Sequence, residues 1–348
     1  MAGLLLLACI LPLAGTALIA GAAYGVKWAQ PVAGLAHFGA AVIVFFWLSW
    51  TVIARTTLAR VTRRRRLLER GAAVLCGAAA MFMAAPFSSA LARNAGQTVF
   101  GCVLAWLAIE VARAHGARLG GSLPATASQR LREWQIAHWV LVACLAGGVF
   151  AFLVVQLLAS TGLSGLPTVK PADQMSVLGI GDIWSLAITV VGTVAVEDVV
   201  IIAATVTLLT AARRPAWQIY TAVCTAEVLL HAYLGLAAVG AAVFAAGRIW
   251  LYLRYRSLLP LIAAHALFDL SVCLQWIPAI YRWASTFVIM LADTWLHHRL
   301  KTAADKDRPP TPPQDTPPEV TAAPASTPPT GRTPLTADHT LLTHRRTP

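Results

Sequence analysis

Charge is what this chain has least of. Only 12% of its 348 residues are Asp, Glu, Lys or Arg, against 58% hydrophobic, and mean hydropathy is +0.68. A soluble domain carries about twice that share of charge, so a soluble fold is excluded. Ten-residue stretches of alternating polarity are missing too, which excludes a β-barrel. No Cys-x-x-Cys occurs. The six cysteines (Cys9, Cys76, Cys102, Cys144, Cys224, Cys273) all lie in apolar runs, so buried free thiols are expected, with neither a disulfide frame nor a structural zinc site. The apolar part has no internal repeat, which counts against a transporter built from matching halves. No basic residue precedes the apolar run 4–24 and a second run follows at once, so this run reads as a helix and not as a cleaved signal.

What is present is a series of apolar runs, several longer than the ~20 residues that span a bilayer. They fall at 4–24, 32–54, 71–92, 97–113, 136–162, 183–211, 217–234, 236–252, 257–275 and 279–297. The expected fold is an all-α polytopic transmembrane helical bundle of about 8–10 helices. Gly235 and Gly240 divide the stretch 217–252, Pro86 kinks the third run and Pro260 kinks or starts the ninth. The net charge of +12 comes from arginines between runs: Arg55, Arg60, Arg63 to Arg66 and Arg70 in one loop, and a second basic loop at 114–135. The positive-inside rule makes these loops, and both termini, cytoplasmic, and accounts for the charge without nucleic acid. Glu110 and Arg113 read as an ion pair at a helix end. Residues 1–135 form an N-terminal set of helices and 136–298 a transmembrane core. From 299 the composition turns to a Pro/Thr-rich tail that cannot build a packed core.

Two protease-like strings are discounted. Gly162-Leu163-Ser164-Gly165 resembles a GxSG nucleophile motif, but Pro167 follows and no helix opens there. Gly179-Ile180-Gly181-Asp182 resembles GxGD, but residues 136–162 hold no second aspartate. Asp182 is better read as a helix N-cap.

The stretch 197–269 stands apart. It is apolar, yet it carries Glu197, Asp198, Glu227, His231, His265 and Asp269. An ionised carboxylate at the bilayer centre costs roughly 2.5–3.5 kcal/mol on insertion scales, so these groups should face inward, share protons, pair with the histidines or hold a cation. Glu227 and His231 are four apart, as are His265 and Asp269, so each pair shares a helix face. Counting from the basic loops at ~1.5 Å per residue, all these groups fall within roughly two helical turns in depth, which allows one shared cavity. A glutamate there can take a proton from water while a histidine orients that water or binds a metal, and the other His/Asp pair can stabilise an oxyanion. A proton relay in a transporter is the rival use of the same groups.

Glu197-Asp198, His231 and His265-Ala-Leu-Phe-Asp269 resemble, in order and spacing, the motifs EExxxR, FxxxH and HxxxN/D of the CPBP (CAAX protease and bacteriocin-processing, or Abi) intramembrane endopeptidases. The resemblance covers roughly 180–275 and implies a bacterial-type cell-membrane enzyme that hydrolyses a membrane-associated peptide or protein. It implies Glu197 as water activator, His231 as its helper or a metal ligand, and His265 and Asp269 as ligands or oxyanion stabilisers, with Asp198 and Glu227 in support. A divalent metal such as zinc would sit on His231, His265 and Glu197; the family is described both as metalloprotease and as glutamate protease, so both remain open. Asp198 is one methylene shorter than the motif's second glutamate, a mild departure, and two further positions depart more strongly. Ile202 stands where the motif has arginine, and an aliphatic side chain cannot pair with a carboxylate. Glu227 stands where the motif has phenylalanine, as a compensating acid, a second ligand or a mark of drift. A catalytically degenerate scaffold or immunity-type protein of the same fold is therefore the alternative.

Overall fold

The computed structural model describes residues 1–23, 29–58, 62–84, 90–120, 123–161, 175, 178–271 and 278–306. Every regular element among them is helical. In chain order these are α1 (Ala2–Ala23), α2 (Ala29–Leu58), α3 (Arg63–Met83), α4 (Ala90–Ala114), α5 (Ala127–Ser160), α6 (Ile183–Val194), a π-helical segment (Ala195–Ala204), α7 (Thr205–Ala211), α8 (Ala216–Leu230), a 3₁₀ segment (Ala232–Ala238), α9 (Val239–Tyr255), α10 (Leu259–Leu270) and α11 (Ala279–Lys306). Among the described residues six stretches are long and apolar enough to cross a membrane: Ala2–Ile19, Pro31–Leu58, Leu91–Ala114, Ala127–Ser160, Ile183–Ala211 and Ala232–Tyr255. Leu259–Leu270 is a shorter apolar helix. The chain is thus an all-α, polytopic helical bundle.

The basic stretches are shorter as loops than the sequence suggests. Arg55 lies in the last turn of α2, and Arg63 to Arg66 open α3 behind an N-cap in which Thr62 accepts from the Arg65 amide. Arginine is a good helix former, and the acids of the region neutralise it. Glu69 binds Arg55 at 2.6 Å and Arg65 at 2.7 Å. The Arg65 hydrogen bond, reinforced by Arg55, holds the Glu69 carboxyl below its ordinary value. The second basic stretch also shortens, because α5 starts at Ala127 with a reciprocal capping box between Thr126 and Gln129. The pair of Glu110 with Arg113 is present at 2.9 Å, and Arg55 joins it at 2.6 Å, so three arginines and two acids tie α2, α3 and α4 together.

Gly235 breaks the long apolar stretch with φ of 62°, a left-handed value that costs glycine little. Gly240, also expected to break it, instead lies inside α9 at a close crossing with α5. A Cβ there would sit 2.6 Å from the Gly147 carbonyl oxygen. Pro260 starts α10. Asp182 caps α6 by accepting from the Ser185 amide at 2.8 Å. Ser164, Pro86 and the residues from 307 lie outside the described residues, while 299–306, assigned to the tail from composition, continue α11 to Lys306. The described cysteines are free, but only Cys9 and Cys144 are buried. Cys76 and Cys102 are exposed and Cys224 is intermediate, because an apolar run in a membrane protein has an outward face as well as an inward one.

Candidate functional site

Four elements converge on one buried polar cluster. The π-helical segment brings Glu197 and Asp198, α8 ends just after Glu227 with His231 as its C-cap, α9 brings Arg248, and α10 brings His265 and Asp269. π-turns are rare and recur at functional sites. Here the slower winding narrows the angle between adjacent side chains, so that both neighbouring acids turn inward. Glu197, Asp198, Glu227, Arg248 and His265 are all buried, at 5% exposure or less.

Arg248 is the hub. Its Nη1 donates to Asp198 Oδ1 at 2.7 Å. Its Nη2 donates to Glu227 Oε1 at 2.6 Å and to Glu197 Oε2 at 3.3 Å. The guanidinium carbon lies 3.4 Å above the centre of the Phe244 ring, one turn earlier on α9, a cation–π contact in a desolvated setting. Sequence reasoning missed this residue. The signal was there: an arginine inside the apolar stretch 236–252 carries the same membrane penalty that singled out the acids.

The imidazoles are oriented by their Nδ1 atoms. His231 Nδ1 lies 2.9 Å from the Glu227 carbonyl oxygen, which can only accept, so Nδ1 carries the hydrogen. That leaves Nε2 to face Glu197 Oε1 at 4.0 Å. The same carbonyl also accepts from the His231 amide at 3.2 Å, using both of its lone pairs. His265 Nδ1 lies 3.0 Å from Asp198 Oδ2. A carboxylate hydrogen-bonded to Arg248 accepts, so Nδ1 donates, and the 3.2 Å approach of Arg248 Nη1 to the same nitrogen is a contact between two donors. His265 Nε2 then points at Glu197 Oε2, 3.7 Å away, and at Asp269 Oδ2, 3.6 Å away. The cluster opens along His231 and Asp269, whose side chains are 22% and 26% exposed.

The chemistry of these donors fits a divalent cation. Glu197, Glu227 and His231 offer ligand atoms that all lie within 4.8 Å of one another, and Glu227 Oε2 is buried with no hydrogen-bond partner. Three carboxylates contact one guanidinium, and a fourth, Asp269, lies beside His265. This set holds Glu227 where the sequence reading held His265. Donors at ~2.1 Å from zinc can be no more than about 4.2 Å apart, so the three side chains would draw in slightly around an ion.

The fold and the site define the class: a polytopic membrane protein with a buried, charge-dense cluster of Glu, Asp, His and Arg where its helices meet. Residues 179–271 match the Rce1-like family model, described as type II CAAX prenyl endopeptidase Rce1-like, and that segment is of the CPBP, or CAAX protease, family. No curated protein and no solved structure matches the chain.

Proposed function

We propose that the chain is an intramembrane endopeptidase that hydrolyses a membrane-associated peptide or protein, with Glu197 as the base that activates water. One observation carries this reading: the three neighbouring acids are treated unequally. Arg248 ties Asp198 and Glu227 at 2.7 and 2.6 Å, whereas it reaches Glu197 only at 3.3 Å. Glu197 instead faces the Nε2 atoms of His231 and His265 at 4.0 and 3.7 Å, beyond direct hydrogen-bond distance. It is the acid left free to take a proton.

The steps follow from the positions. Water enters past His231 and Asp269 and is held between Glu197 and His231. Glu197 takes its proton as the oxygen bonds to the scissile carbonyl carbon. His265, when protonated at Nε2, donates to the developing oxyanion, with Asp269 turned toward the same nitrogen. Glu197 then passes the proton to the departing amide nitrogen as the C–N bond breaks. In a metal-dependent form Glu197, Glu227 and His231 would hold a divalent cation such as zinc, and Glu197 would then be a ligand and not the base. When bound, such an ion supplies positive charge that lowers the pKa of a nearby water and polarises a carbonyl. The degenerate-scaffold alternative drew on the missing motif arginine, and Arg248 weakens it by supplying a guanidinium.

The test uses a prenylated peptide ending in Cys-aliphatic-aliphatic-X, the class that the matched family's description names, with purified protein in liposomes. Release of the C-terminal fragment is expected, and Glu197→Gln should lower it by roughly 10³-fold or more. Equal release by wild type and Glu197→Gln would defeat the reading.

A further inference from the structure

We propose that Arg248 is the fixed countercharge of this site, and that Arg248 and Glu227 together replace the arginine and the phenylalanine of the first and second family motifs. The consequence for catalysis rests on the peptidase reading; the charge balance does not. The motif arginine would sit at 202, four residues past Asp198 on the same segment. Ile202 there is fully buried and offers no charge. Without another cation, Glu197 and Asp198 would be buried acids facing only imidazoles, an arrangement that breaks folding energetics unless protons or ions make up the difference.

Arg248 supplies the charge from a different helix. Its side chain is fully buried, and its two terminal nitrogens contact Asp198, Glu227 and Glu197. Coming from α9, the guanidinium has a terminal nitrogen turned toward α8, where a phenylalanine at 227 would leave Nη2 only the 3.3 Å contact with Glu197. Glu227 Oε1 fills that place at 2.6 Å. The two departures from the motif are therefore one exchange: an arginine at 248 calls for an acid at 227, and an acid at 227 is tolerable only beside that arginine. Phe244 lies over one face of the guanidinium, and His265 and Asp269 on α10, Cys144 on α5 and Cys224 on α8 are further ionisable groups around it. Arg248 is a positioning residue. It fixes Asp198, which orients His265, and it restrains the carboxylate of Glu197.

The experiment compares thermal unfolding of the purified full chain in detergent. Arg248→Met keeps side-chain length and removes the charge, and its midpoint should fall by about 5–10 °C, or the protein should aggregate on extraction. The triple variant Ile202→Arg/Glu227→Phe/Arg248→Met restores the family arrangement and should recover at least half of that loss, or restore a monodisperse preparation if the single variant gives none. A single variant that unfolds with the wild type, or a triple variant no better than the single one, would overturn the proposal, since a purely space-filling role would leave relocation of the charge without effect. In the peptide assay, Arg248→Lys should lower kcat by roughly tenfold with KM unchanged. If the wild type releases no product, the peptidase reading fails, while the unfolding comparison still decides the role of Arg248.

Discussion

Asp198 never meets the exposed side of the site, yet it sets the tautomer of the imidazole that does. With Oδ1 on Arg248 and Oδ2 on His265 Nδ1, it keeps the hydrogen on Nδ1 and the Nε2 atom directed at Glu197 and Asp269. Asparagine at this position has nearly the same shape but presents an NH₂ group on one side, so it would meet either Arg248 or His265 donor to donor. Asp198→Asn is expected to lower peptide release by roughly 10–100-fold, with ¹⁵N NMR of labelled histidine reporting a changed His265 tautomer; an unchanged spectrum would separate Asp198 from that role. The acids and histidines of this cluster were legible in the sequence, because each is a costly group inside an apolar run. Their tautomers were not, because they depend on contacts made only in the folded bundle, such as that of His265 Nδ1 with Asp198, 67 residues away. Arg248 escaped notice for a related reason: Arg254 and Arg256 follow closely, and a run of arginines at a helix end reads as membrane topology.

The elements owe their placement to close contacts as much as to apolar faces. Between lipid-facing helices water gives little drive to association, and small residues that let backbones approach do much of the work. Gly147 of α5 and Gly240 of α9 are such a pair, each placing a backbone carbonyl oxygen within 3 Å of where the other's Cβ would be. Gly192 of α6 also sits at a close approach: a Cβ there would lie 2.9 Å from Thr98 Oγ1 and 3.0 Å from Thr98 Cα of α4. A glycine in an apolar run is ambiguous in sequence between a break and a contact, and of the two expected breaks only Gly235, with its positive φ, is one. The α5–α9 crossing matters for the site because Arg248 stands about two helical turns beyond Gly240. Gly240→Ala must push α9 off α5, at a cost of roughly 1–3 kcal/mol, and should swing Arg248 away from the acids. Its unfolding midpoint and its peptide release should fall together; a fall in stability alone would mean that α9 shifts without carrying the guanidinium with it.

At the scale of the whole molecule, the residues that match the family do not enclose their own site. One continuous set of buried side chains runs from Leu4 to Ala264. Leu4, Leu7, Ala8 and Cys9 of α1 are buried in it, and the Cys9 thiol lies 3.8 Å from the carbonyl oxygen of Ala226, the residue before Glu227. On the far side of Arg248, Tyr252 donates to the Leu119 carbonyl at 2.7 Å and shares a hydrogen bond with Thr207 at 3.0 Å, so the turn after α4 holds the end of α9. Helix α1 thus packs against α8 next to Glu227. Removing residues 2–23 would open the buried pair to acyl chains, where an ion pair has no solvent to fall back on. The truncated chain is expected to unfold at lower temperature in detergent and to lose peptide release, and co-expression of residues 1–28 as a separate peptide should restore part of both, because a packed helix needs position more than a covalent link. Unchanged unfolding of the truncated chain would show that α8 and α9 shield the pair by themselves, and would reduce α1 to an attachment to the bilayer.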